Sequence, residues 1–259
     1  MRASIIIAAH QEGALLGKTV ESCLRNASDL EREIIVADDA SSDGSVDEVT
    51  ARFPELRILR NEQRLGVSPT KDLGARRATG DVLVFLDAHT NPEPGAILRL
   101  VEDVERLEGA AAVTPAIASL CHRTWRNLTS RTGHGYSLEL ETFKSGWLAL
   151  DKLRKVEQAG RTFYESPALI GCAFAVAREL YDALWGFDPA MRLWGVEDLD
   201  FSLKCGFIVR WRGRCIAEPR HHAPEARPTR GAENRRGQKQ RRLAERTKAC
   251  GCLGTLRRC

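Results

Sequence analysis

The sequence predicts an α/β fold with a mostly parallel central sheet flanked by helices, and three observations carry that expectation. Short β-branched runs alternate with helix-spaced segments through the first half of the chain, the pattern of βαβ units. One run, Val82 to Leu86, is apolar throughout, as a strand buried on both faces should be. Acids stand directly after the second and fourth runs, at Asp38, Asp39 and Asp87. Open α/β sheets bind ligands at that end of their strands.

The elements follow in order. Ser4 to Ala9 reads as a strand and Ala14 to Arg25 as a helix, with Leu15, Leu16, Val20, Cys23 and Leu24 at helical spacing. Glu33 to Ala37 is the second strand, and a helix ending near Arg52 follows the Ala40–Ser45 turn. Leu56 to Arg60 is a third strand, Thr70 to Ala78 a helix, and Val82 to Asp87 the central strand. Pro92 to Leu107 reads as a helix and Ala110 to Ile117 as a strand. There the alternation stops. Residues 118–166 are polar, aromatic and irregular, longer than an ordinary connection. Pro167 to Val176 is an apolar strand with Gly171 inside it, a glycine that marks close approach of a ligand or another backbone. A helix over 178–186 and a second one opening at Glu197 follow, and Phe207–Trp211 and Cys215–Ala217 close the sheet.

Composition bounds the class. A chain of 259 residues, 43% hydrophobic and 29% charged, suits one large domain or two small ones. No apolar run approaches the ~18 residues of a membrane span, and Met1 to Ala9 is too short for a signal peptide. With five cysteines scattered through the body, the expectation is a cytoplasmic protein. Residues 220–259 hold twelve Lys or Arg against three Glu, a net of +9 in a chain whose total is +4. That basic tail, with helix formers from Asn234 to Lys248, suits phosphates, a nucleic acid or the inner face of an anionic membrane.

Two constellations can carry chemistry. Asp87 and His89 lie two apart at a strand end, so an extended backbone would put both on one face, able to hold a divalent cation. Glu197, Asp198 and Asp200 crowd the first turn of a helix beside Trp194-Gly195. Acids there can be plain caps, but three in four residues exceed what a cap needs. Asp38 and Asp39 can accept from a nucleobase N–H or ribose hydroxyls, or can cap the following helix. No G-x-G-x-x-G follows the first strand and no G-x-x-x-x-G-K-[ST] loop is present, which disfavours a dinucleotide or P-loop site.

Taken in order, these segments resemble inverting nucleotide-sugar glycosyltransferases of family 2, which have the GT-A fold. The resemblance rests on Ile5 to Glu12, Val36-Ala37-Asp38-Asp39-Ala40-Ser41-Ser42-Asp43-Gly44, Asn61 with Gly66, and Lys71-Asp72-Leu73-Gly74-Ala75. It continues through Asp87-Ala88-His89 at the D-x-D position, Gly186-Phe187-Asp188 and Trp194-Gly195-Val196-Glu197-Asp198. The chain departs from it at His10-Gln11, where the family has Tyr-Asn. The Asp-x-His variant also resembles polypeptide N-acetylgalactosaminyltransferases, which are retaining and carry Glu-Asn where this chain has Glu197-Asp198.

The resemblance implies a GT-A domain over residues 1–222 and a basic tail over 223–259. It implies transfer of sugar from a nucleotide donor, expected to be a UDP-sugar, to a glycan, lipid-linked glycan or peptide acceptor. Asp198 would be the base, aided by Glu197. Ala9, Glu12, Asp38, Asp39, Lys71, Asp87 and Gly171 would contact the donor, with Lys71 and a tail residue such as Arg227 on phosphate oxygens. Trp194 and Gly195 would face the acceptor. Asp87, His89 and either His221 or His222 would hold Mn²⁺ or Mg²⁺, imidazole favouring Mn²⁺. The alternatives are retention at the same site, a nucleotidyltransferase, or a non-catalytic module; nucleic acid is not an expected partner of the intact site.

Overall fold

The computed structural model describes residues 1–139, 141, 144–193, 195–207 and 215–217. Trp194, His221, His222, residues 208–211 of the first predicted closing strand and the whole basic tail lie outside the described residues, and Phe207, expected to open that strand, instead ends a helix over Glu197–Phe207.

The first half matches the βαβ pattern closely. In chain order it comprises β1 (Ala3–Ala9), α1 (Ala14–Asn26), β2 (Arg32–Asp38), α2 (Ser45–Arg52), β3 (Arg57–Arg60), α3 (Val67–Arg77), β4 (Val82–Asp87) and α4 (Ala96–Arg106). Two helix starts differ from expectation. Helix α3 begins three residues early, because Gly66 at φ 108° turns the chain into it and Pro69 is tolerated in a first turn. Helix α4 begins late, capped by Gly95 at φ 72° after the prolines at 92 and 94.

Beyond α4 come β5 (Ala112–Thr114), β6 (Ile117–Cys121), β7 (Arg126–Gly133), β8 (Tyr136–Glu139), β9 (Lys144–Trp147), β10 (Arg154–Gln158) and β11 (Arg161–Ser166). Segment 118–166 is therefore largely β-structure rather than irregular. Its strands carry few apolar residues, and although Phe163 of β11 is buried in the core, no regular hydrophobic alternation marks them. The turn chemistry did carry a signal, since Ala159 and Gly160 join β10 to β11 with φ of 49° and 74°, the positive pair a two-residue hairpin loop requires. The chain closes with β12 (Ala173–Ala177), α5 (Arg178–Ala183), α6 (Glu197–Phe207) and β13 (Cys215–Ala217). Gly171 lies in the turn before β12, not inside the strand.

Among the described residues, nine strands form one sheet in the order β10-β11-β13-β5-β12-β4-β1-β2-β3. Strands β3, β2, β1 and β4 run parallel, while β12 enters antiparallel between β4 and β5. The sheet is thus mixed, its parallel half built from the alternating segments. Ile5, Ile6 and Ile7 of β1 and Val82 to Phe85 of β4 are fully buried, as strands covered by helices on both faces must be. Phe85 stacks on Phe174 with centroids 4.8 Å apart, and Phe187 meets Phe85 edge-on at 5.3 Å. This aromatic packing joins β4 to β12 and to the segment leading into α6.

Candidate functional site

The register of the parallel strands assembles the site. Ala9 of β1 pairs with Asp38 of β2, and Ala8 with Asp87 of β4, so the expected acids end on one rim. Strand order reverses there: β2 and β3 lie on one side of β1 and β4 on the other, the arrangement that opens a ligand crevice. A cleft of about 250 Å³ occupies this rim. It is lined by Ala8, Ala9, His10, Glu12, Asp39, Arg64, Val67, Thr70, Asp87, His89, Leu193 and Glu197.

Asp87 and His89 share the cleft as expected, although His89 lies in the turn after β4. The backbone N–H of Asp87 donates to the carbonyl of Cys172 at 3.0 Å, which fixes the carboxylate at the strand end. His89 Nδ1 lies 3.1 Å from Glu12 Oε2. This hydrogen bond raises the histidine's pKa, and with Nδ1 so engaged Nε2 is left to face a ligand.

The two acids after β2 part company. Asp39, 4% exposed, accepts from Asn61 Nδ2 at 2.9 Å and from the N–H groups of Leu65 and Gly66 at 2.7 and 2.8 Å. It organises the loop into α3 and still borders the cleft. Its own carbonyl faces His10 Nδ1 at 2.7 Å, which makes Nδ1 the protonated nitrogen and turns the ring edge toward the cleft. Asp38 is fully buried, accepts from the Ser41 N–H at 3.0 Å and pairs with Arg60 at 3.2 Å. It does not line the cleft, and its place is that of a turn-holding carboxylate.

Lys71 also differs from the expectation that it covers phosphate oxygens. It is 1% exposed. Its Nζ donates to Glu197 Oε1 at 3.0 Å and to the carbonyl of Gly171 at 2.9 Å, and sits 3.4 Å from Asp87 Oδ1. Burial alone would lower its pKa, but the carboxylates of Asp87 and Glu197 more than offset that and hold it above the ordinary lysine value. The cleft cation is instead Arg64, exposed on the loop before α3.

The three acids at the start of α6 take three tasks. Glu197 binds Lys71 and borders the cleft. Asp200 pairs with Lys204 at 2.6 Å. Asp198 accepts from the N–H of Gly171 at 3.1 Å through Oδ2 and from its neighbour Leu199 at 2.8 Å through Oδ1. It is half-buried and lies outside the cleft lining. Burial, then the adjacent Glu197 carboxylate, raises its pKa above the usual aspartate value. Gly195, at φ 118°, precedes these acids.

His10, Arg64 and Leu193 are cleft residues that pattern reading did not single out. His10 was visible as a departure from the family's Tyr. Arg64 and Leu193 carry no local signal, because residues 193 and 66 come together only by pairing in the folded chain.

The family model "Glycosyl transferase family 2" matches residues 4–185, and the chain belongs to that family. It is 32% identical over 226 residues to N-acetylgalactosaminyltransferase 7 of Drosophila melanogaster, covering 81% of this chain and 38% of that protein. With the human polypeptide N-acetylgalactosaminyltransferase 10 it shares 34% identity over 214 residues, 78% of this chain and 35% of that one. The chain therefore spans well under half the length of the curated relatives it matches. In structure it resembles GalNAc-T7 crystallised with UDP, GalNAc and Mn²⁺, at 26% identity and a TM-score of 0.64, covering 83% of this chain and 41% of that one. A mannosyltransferase of Pyrobaculum calidifontis, solved with GDP-Man and Mn²⁺, shares the GT-A fold at 20% identity and a TM-score of 0.54, covering 89% and 58%.

Proposed function

We propose that this chain transfers an N-acetylhexosamine from a UDP donor to a hydroxyl of a peptide or glycan, with the help of Mn²⁺. The observation that carries the reading is the cleft itself, in which Asp87 and His89 face Arg64 and Glu197 at the reversal point of the sheet. The names of the relatives support the donor, and the ligands of GalNAc-T7 support the metal.

The donor set fits such an ion. Among the described residues no group of three or more His, Cys, Asp and Glu side chains stands ready to cage a metal. One carboxylate and one imidazole suit an ion whose remaining positions are filled by substrate phosphates and water. Asp87 and His89 would hold it, and it would neutralise charge on the departing diphosphate. Arg64 would add a second positive charge there. Between the two acids of the pair, Asp198 suits the role of base better. Glu197 is committed to an ammonium, whereas the surroundings of Asp198 raise its proton affinity.

Incubating the protein with Mn²⁺ and a panel of UDP-N-acetylhexosamines, with mass-spectrometric detection of UDP release, tests the activity. Asp87→Ala or His89→Ala should abolish release and weaken Mn²⁺-dependent UDP binding in calorimetry. Undiminished activity of either variant in chelator removes the metal from the mechanism. NMR of the product tests the stereochemistry: a β-linkage from an α-linked donor is expected, and an α-linkage assigns retention and releases Asp198 from the role of base.

A further inference from the structure

Lys71 is among the largest fully buried side chains of the described residues, and its partners come from three separate segments. Asp87 ends β4, Gly171 lies before β12, and Glu197 opens α6. A buried ammonium is costly unless its charge is paired and its protons are satisfied. Here Nζ donates hydrogen bonds to Glu197 and to the Gly171 carbonyl, and the Asp87 carboxylate at 3.4 Å helps balance its charge, so the ammonium is enclosed by the protein's own acceptors. The neighbouring Gly171 adds a fourth link through its N–H to Asp198. Asp87 on the donor side and the Glu197-Asp198 pair on the other are thereby tied to one cation.

We infer that Lys71 is a positioning residue, an internal fixed cation that locks Glu197 to Asp87 and shares the charge of Asp87 with any metal bound there, and that it is not a phosphate ligand. The inference rests on the proposed transfer reaction for its kinetic consequence, but its binding consequences stand without turnover. A lysine beside Asp87 repels a cation held by the same carboxylate. Its fixed charge thus moderates metal affinity and keeps the acid pair in register with the cleft.

The test uses Lys71→Met, which removes the charge at similar length, and Lys71→Arg, which keeps it. Circular dichroism checks folding, and Lys71→Gln carries the same measurements should the Met variant fail to fold. Titration of the free proteins with Mn²⁺, read by electron paramagnetic resonance, should show at least threefold tighter binding for Lys71→Met and little change for Lys71→Arg. Calorimetry with UDP at saturating Mn²⁺ should give an affinity within threefold of wild type for both. Where turnover is measured, Lys71→Met should lower kcat at least tenfold with KM for the donor within threefold. A tenfold or greater loss of UDP affinity would make Lys71 a phosphate ligand and overturn the inference. Unchanged Mn²⁺ affinity would reduce it to core filling and overturn it equally. Absence of transfer by the wild-type protein sinks the proposed reaction instead, while the Mn²⁺ and UDP titrations still decide the role of Lys71.

Discussion

The backbone N–H of Gly171 donates to Asp198 Oδ2 at 3.1 Å, and a Cβ at position 171 would lie 2.8 Å from both Cβ and Oδ2 of Asp198. The glycine is there because the acid packs onto its backbone. Gly171→Ala should displace the first turn of α6 and cost about 1–3 kcal/mol through overpacking. Thermal melts measure the stability loss, and turnover should fall together with it.

Asp198→Asn keeps the shape of that contact and removes the base. Turnover should drop by the ~10²–10⁴-fold typical of general-base loss, with UDP binding in Mn²⁺ nearly unchanged. Because burial and Glu197 raise the Asp198 pKa, wild-type activity should fall on acidification at a pH above the ordinary aspartate value of about 3.9. A pH–rate profile of wild type and Asp87-intact variants checks the limb; an acid limb retained in Asp198→Asn would assign it to another group.

Gly66 holds the other side of the cleft. Its φ is 108°, and a Cβ there would lie 2.1 Å from the backbone nitrogen of Leu193. Leu193 in turn donates to Leu65 O at 2.9 Å and accepts from Val67 N–H at 3.0 Å. Backbone cannot yield as a side-chain tip can, so Gly66→Ala should break this pairing and cost on the order of 2–4 kcal/mol. Limited proteolysis should then cut in the 188–196 segment before it cuts elsewhere in the body.

Glu33 offers a stability test remote from the cleft. It accepts from Ser4 Oγ and from both the N–H and hydroxyl of Thr79, joining β2 to β1 and to the turn before β4. Burial would raise its pKa, but these hydrogen bonds prevail and lower it. A lowered acid contributes stability above its unfolded pKa, near 4.3, and loses it as pH falls through the folded value. Glu33→Gln should therefore destabilise the protein by about 1–2 kcal/mol at pH 7. The difference should shrink in melts taken progressively below pH 4.

How much of this was legible in the residues follows from what is local. Strands such as Val82–Leu86 and helix α1 announce themselves because hydrophobic period is a property of adjacent residues. So does the rim position of Asp38, Asp39 and Asp87, since chain direction in βαβ units sends every strand end the same way. The hairpins of 118–166 are not legible in the same way, because isolated apolar residues such as Phe163, buried in the core, do not make an alternation, and the Ala159-Gly160 turn is the local cue.

What side chains do on that rim was decided by tertiary contact. From sequence, Lys71 is expected on donor phosphates and Asp38 on the nucleoside or as a cap, and nothing local distinguishes a lysine that meets substrate from one that meets Glu197 across 126 positions. Burial makes the difference: an ammonium enclosed by two carboxylates and a carbonyl is satisfied within the protein, whereas Arg64 on an exposed loop is not enclosed. The chain by itself determined the family, the order of the parallel strands' segments and the acids at their ends. Only the folded structure determined which charges face the cleft, because that depends on segments 100 and more residues apart closing on one point.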